Sequence, residues 1–239
     1  IGFCMQGCRS GAKWSTFNTE IPKAEATGRC EVRPDCMALR IVHDAQGRAS
    51  GVLYFDSNGT YLQKARVVCI AGNAIETPRL LLNSESSAFP DGLANGSGEV
   101  GRNYMRHVFA YAYAQFEQPI NMHRGIPVAG AIHDECRYDP SRGFAGGFLI
   151  TTAAYGLPFY GAFLDPMGWG RELTSWIAVY DHLACSVVVG EDMAMETNQV
   201  RLHESEKDPY GLPIPCLHLD DHPNDFALKN YGLKKLSEV

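Results

Sequence analysis

ARVVCIAGNAIETPRLLLNS, residues 65–84, decides how this chain is read. A short apolar run, Val67–Ile70, passes through Ala71-Gly72-Asn73 into a segment carrying Leu80, Leu81 and Leu82. Such a run bounded by small residues reads as a buried strand. Thr77 is placed to cap the helix that follows, and Pro78 suits its first turn, where a missing N–H costs nothing. A strand that ends in small residues before a helix leaves main-chain N–H groups free and lets a large ligand approach the backbone closely. A plain strand–turn–helix packing joint has the same pattern.

Upstream, Ala38–His43 reads as a strand, DAQG (44–47) as a turn and Gly51–Asp56 as a second strand. Ser57-Asn58-Gly59 is a hairpin signal, and Leu62–Ile70 reads as the third strand of an antiparallel meander. Downstream, Phe89–His107 is rich in Gly and Asn and reads as a loop. From Phe109 to Leu219 the alternating and β-branched texture predicts a mainly antiparallel sheet. Near the far end, Phe226, Leu228, Tyr231, Leu233 and Leu236 form a helical stripe, with Asn224 or Asp225 as its cap after Pro223. The expected fold class is therefore α/β (α+β), divided as 1–107, 108–222 and a terminal helix over 223–239. The chain opens at Ile1 and stops inside that helix, so it reads as an internal piece of a longer protein.

The composition agrees with a packed fold. Of 239 residues, 45% are hydrophobic and 20% charged, which excludes a disordered chain. No run approaches the roughly 20 apolar residues of a membrane-crossing helix. The net charge is −6 and no basic run stands out, which argues against nucleic acid as a partner.

Eight cysteines are present. Cys69 and Cys185 lie in apolar runs and read as small core residues. Cys4 and Cys8, in CMQGC, stand four apart. A structural pair, a disulfide, zinc, and a cluster completed by an upstream thiol are all open for them. His43, His123, His133 and His203 lie in polar stretches and read as solvated. His182 follows Asp181 and reads as a sheet histidine or a pocket residue. Tyr155, Phe159, Tyr160, Trp169, Trp176 and Tyr180 could floor a sugar site or fill a sheet core.

CMQGCRSGAKWS (4–15), RIVHDAQGRASGVLYFD (40–56), the 65–84 segment and GLANGSGEVGRNYMRH (92–107) together resemble the glucose–methanol–choline (GMC) flavoprotein oxidoreductases, most of all the flavoprotein subunits of gluconate, fructose and glucose dehydrogenases. NQVRLHESEKDPYGLPIPCLHL (198–219) continues the resemblance weakly. Asn83-Ser84-Glu85 departs from the Ser-Gly-hydrophobic-Gly of many members. The resemblance implies a partial Rossmann-like FAD-binding domain over 1–107 and a substrate domain backed by an antiparallel sheet over 108–222. It implies that Ala38 presents its backbone to the adenine and that Ala71, Gly72 and Asn73 lie near the ribose and pyrophosphate. It puts Asn103 and His107 on the loop passing the cofactor. Cys4 and Cys8 match two ligands of a three-iron iron–sulfur cluster, whose third would precede Ile1.

The implied reaction is oxidation of a sugar or polyol CH–OH group, with hydride passing to the flavin. The implied partners are a multihaem cytochrome and a small helper subunit, at the periplasmic side of an inner membrane. The family's glycine-rich loop and its catalytic histidine pair fall outside these residues, so the chain alone is expected neither to hold FAD tightly nor to turn over. Two other readings are a non-catalytic scaffold module of the same fold and an iron–sulfur electron relay.

Overall fold

The computed structural model describes Cys4, residues 7–154 and residues 168–238. It has a mixed α/β fold in which the ladders among the described residues are antiparallel. The helices described are α1 (Glu20–Ala26), α2 (Asn73–Leu82), α3 (Gly170–Ala178) and α4 (Pro223–Leu236). Two compact units are formed, and each draws on separated stretches of chain.

One unit comprises Glu31–Met105 and Ala194–Asp221. Its meander is β1 (Met37–His43), β2 (Ala49–Asp56) and β3 (Gly59–Lys64), in the order β1-β2-β3. The turns form where the sequence puts them. Asp44 Oδ1 accepts from the Gln46 and Arg48 amides, and Asp56 Oδ1 from the Asn58 amide. Such Asx turns are built from the local side chain. The third strand is shorter than expected. It ends at Lys64, opposite Gly51, so Val67–Ile70 is not part of the ladder. Val67 is 76% exposed, and Cys69 is an exposed free thiol rather than a core residue. The reason is the ladder itself: β2 starts at Ala49, and its last carbonyl toward β3 is that of Ser50, which accepts the Ala65 amide.

Helix α2 also starts earlier than the Thr77–Pro78 reading. Asn73, in the left-handed region at φ 66°, accepts on Oδ1 from the Ile75 and Glu76 amides. That is the bonding of a helix cap. Pro78 lies inside the helix and withholds the N–H that would return to the Ala74 carbonyl. Thr77 instead accepts from the Gly72 amide at 3.1 Å.

Strands β8 (Gln199–Lys207) and β9 (Pro213–His218) form a separate two-stranded sheet. Helix α2 packs on β8, β9 and β1. Gly101, at φ 84°, gives its carbonyl to the Val200 amide at 2.7 Å. A Cβ there would stand 2.2 Å from the Val200 carbonyl oxygen, so only glycine fits.

The other unit comprises Ile1–Cys30, Arg106–Met193 and His222–Val239. Its sheet runs β4-β7-β6-β5, from β4 (His107–Gln115), β5 (Ala131–Ile132), β6 (Phe148–Thr152) and β7 (Leu183–Glu191). Helix α4 covers one face and buries Leu228 and Leu236 against Val108, Ala110, Ile150 and Val188. Two glycines set this approach. A Cβ on Gly190 would meet Leu228 at 2.5 Å, and one on Gly232 would meet Val188 at 2.9 Å. The α4 cap is His222, not Asn224 or Asp225. Its Nδ1 accepts from the Asn224 amide, and the Asp225 carboxylate accepts from the His222 amide. Phe226 and Leu233, counted in the apolar stripe, face solvent.

Two histidines depart from the solvated reading. His43 is half-buried, sharing a 2.8 Å hydrogen bond with Ser86 Oγ and meeting Phe89 edge-on. His123 is buried, with its ring centroid 4.1 Å from that of Tyr180. Burial, with Arg124 nearby, holds its pKa below the ordinary value against the pull of Asp181. Tyr155, Phe159 and Tyr160 lie outside the described residues. Trp169 is exposed.

Two outcomes follow. Leu228→Ala is expected to lower unfolding stability by about 3 kcal/mol, read in urea titration. The fold favours neutral His123, so below about pH 6.5 the unfolded chain binds a proton that the folded one does not. Stability falls as pH drops from there toward the folded pKa. His123→Phe should flatten that slope between pH 7.5 and 5, and an unchanged slope would refute the assignment.

Candidate functional site

The segment freed from the ladder forms a wall. Val68, Cys69, Ile70, Ala71 and Gly72 line a cavity of about 580 Å³ together with Met37, Ala38, Ile41 and Val52 from the meander and Glu76, Arg79 and Leu80 from α2. Most of this lining is apolar. Ala38 sits beside an irregularity in the β1–β2 pairing, between Ala38 and Arg40. Of the expected site residues, Ala38, Ala71 and Gly72 therefore meet in one cavity, and Asn73 follows directly at the start of α2.

Three main-chain donors at the helix start are already engaged. Asn73 Oδ1 takes the Ile75 and Glu76 amides, and Thr77 Oγ1 takes that of Gly72. A Cβ on Gly72 would lie 3.3 Å from Glu76 Cβ.

The polar corner of the cavity is a buried network that the sequence reading missed. Arg79 is 6% exposed. Its Nη2 donates to Asp208 Oδ2 at 2.6 Å, its Nε to the Pro213 carbonyl at 2.9 Å, and its Nη1 lies 3.2 Å from Glu76 Oε2. Asp208 Oδ1 accepts in turn from the Tyr210 and Leu212 amides. Burial pushes the Asp208 carboxyl up, and the Arg79 guanidinium with those two amides more than offsets it, leaving the group below the usual carboxylate range. The signal was present: Glu76 and Arg79 are opposite charges one helical turn apart, and Asp208-Pro209-Tyr210-Gly211 is a turn sequence.

Asn103 lines a second cavity of about 420 Å³, against Ala74, Thr77, Pro78 and Leu81 of α2. It is left-handed at φ 55°, and its Nδ2 donates to Glu99 at 3.2 Å. His107 belongs to the other unit, at the start of β4, edge-on to Phe109 at 5.8 Å.

Cys4 and Cys8 are free thiols. The Ser10 hydroxyl and the Lys13 amide bring the Cys8 thiol down to about 7. No group of three or more His, Cys, Asp or Glu placed to hold a metal ion occurs among the described residues. No helix among them is long and apolar enough to cross a membrane.

Residues 1–109 match the family model described as GMC oxidoreductase. Over 98% of its length the chain is 31% identical to 2-methyl-1,2-propanediol dehydrogenase of Mycolicibacterium austroafricanum, and the match covers 44% of that protein. Over 49% of its length it is 34% identical to the fructose dehydrogenase large subunit of Gluconobacter japonicus, covering 21% of it. The gluconate 2-dehydrogenase flavoprotein of Pantoea cypripedii is 24% identical over the whole chain, with 41% of that protein covered. The chain spans less than half the length of each of these relatives.

Arg79→Met strands the Asp208 charge at a side chain only 13% exposed, and should cost about 3 kcal/mol in denaturant unfolding. Adding Asp208→Asn removes that charge and keeps an acceptor for the two amides, so the double variant should recover part of the loss.

Proposed function

We propose that this chain, a segment of the GMC oxidoreductase family, is part of an FAD-dependent enzyme that oxidises an alcohol or sugar hydroxyl, and that its own share of the work is to hold the adenosine half of the cofactor. GMC oxidoreductases are FAD-dependent. The relatives are dehydrogenases of a diol, of fructose and of gluconate, which supports a small polyhydroxy or alcohol substrate.

One observation carries this reading: the 580 Å³ cavity at the junction between the apolar segment and α2. The residues present fit an adenine. Its flat faces suit walls made by Ile41, Val52, Val68 and Leu80. Ala38 and Ala71 add no side chain beyond a methyl group, so a planar ring can come close to their main chain. Bound flavin would supply a two-electron acceptor for the substrate's hydride. The residues of this chain would do the rest of what falls to them by exclusion and position. The apolar wall keeps water from the ring, and the Arg79 network fixes the last turn of α2 against the start of β9.

Cys69 makes the proposal measurable, because it is an exposed thiol in the cavity wall. Exposed Cys36 does not line the cavity and serves as the control. FAD and AMP should each slow iodoacetamide labelling of the Cys69 peptide in a saturable way, read by mass spectrometry, with Cys36 labelling unchanged. Labelling of Cys69 that is indifferent to millimolar FAD would sink the proposal.

A further inference from the structure

The charge at the polar corner decides which end of a nucleotide can enter. Arg79 is spoken for: Asp208 faces it at 2.6 Å, and its Nε is held by the Pro213 carbonyl. Glu76 is the second carboxylate on the same guanidinium, at 3.2 Å, and its side chain is 45% exposed. One cation and two anions leave a surplus negative charge, and it rests with the more accessible group. Of the amides nearby, that of Gly72 in the cavity wall is held by Thr77, and those of Ile75 and Glu76 by Asn73. An ionised carboxylate only accepts hydrogen bonds. The wall therefore welcomes neutral donors, such as a ribose hydroxyl or an exocyclic amine, and repels phosphate.

We infer that Glu76, held in place by Arg79, is a specificity-determining residue that makes this cavity a seat for the nucleoside and keeps phosphate groups outside it. The inference rests on the reading of the cavity as an adenine-nucleotide site. It gives the cofactor a direction: base and ribose against the meander and α2, diphosphate leading away from the α2 start. The Glu76 charge thus turns phosphate away from this cavity, although a strand–turn–helix joint is the usual place for one.

The test ranks three probes, adenosine, AMP and ADP, by how well each protects Cys69 from iodoacetamide, in the wild-type chain and in Glu76→Gln. In the wild type, adenosine should protect at a concentration about fivefold lower than ADP, and the gap should narrow as salt is raised. In Glu76→Gln the gap should close to within about twofold, through tighter ADP binding, with adenosine changed little. A purely structural role for Glu76 would weaken all three probes together and leave their order intact, which would overturn the inference. ADP protecting better than adenosine in the wild type would overturn it without recourse to any variant, while the adenine-nucleotide reading stood. Protection by none of the three would remove that reading and the inference with it.

Discussion

A guanidinium with three partners organises the unit that carries the candidate site. Arg79 reaches from α2 to Asp208 and to the Pro213 carbonyl, at the two ends of the turn joining β8 to β9. These groups are separated by about 130 residues of chain. A buried cation is tolerated where it is paired with an opposite charge and its remaining donors are hydrogen-bonded. Here the acceptors come from the turn between β8 and β9, two strands that α2 also packs against. Phe55 of β2 meets Tyr210 edge-on in the same turn, with centroids 5.7 Å apart. The turn is thereby fixed from two directions, and the cavity beside it inherits a defined wall.

The division of the chain follows the same logic. Residues 194–221 return to the unit built by residues 31–105 because specific groups there wait for them. Val200 is 1% exposed and donates to the Gly101 carbonyl, and the Asn198 carbonyl accepts the Tyr104 amide at 3.1 Å. Neither contact is local, and each is as exacting about geometry as a core packing contact. The second unit relies on ordinary apolar burial instead, with Leu228 and Val188 fully enclosed between helix and sheet.

Local chemistry was legible in the sequence and non-local chemistry was not. The first two meander strands and both turns could be read because alternation and Asx turns are written in neighbouring residues. The terminal helix could be read from its spacing, but its inward face could not be separated from Phe226 and Leu233, which share the apolarity without the burial. VVCI misled because an apolar run looks the same whether it pairs in a sheet or walls a cavity. His123 looked polar by its neighbours, yet Tyr180, 57 residues on, closes over it. Ala38, Ala71 and Gly72 were named through family resemblance, and they do share one cavity. Glu76, Arg79 and Asp208 were not, since their meaning appears only when the turn after β8 arrives beside α2.

The approach of α4 to its sheet has an evolutionary side. Gly190 and Gly232 make room for Leu228 and Val188, so the four positions share one fixed volume between strand and helix. A methyl group gained at one must be surrendered at another, or the layers part. Drift at these sites is therefore constrained to proceed in matched exchanges, and in a diverging lineage they would change together or stay still.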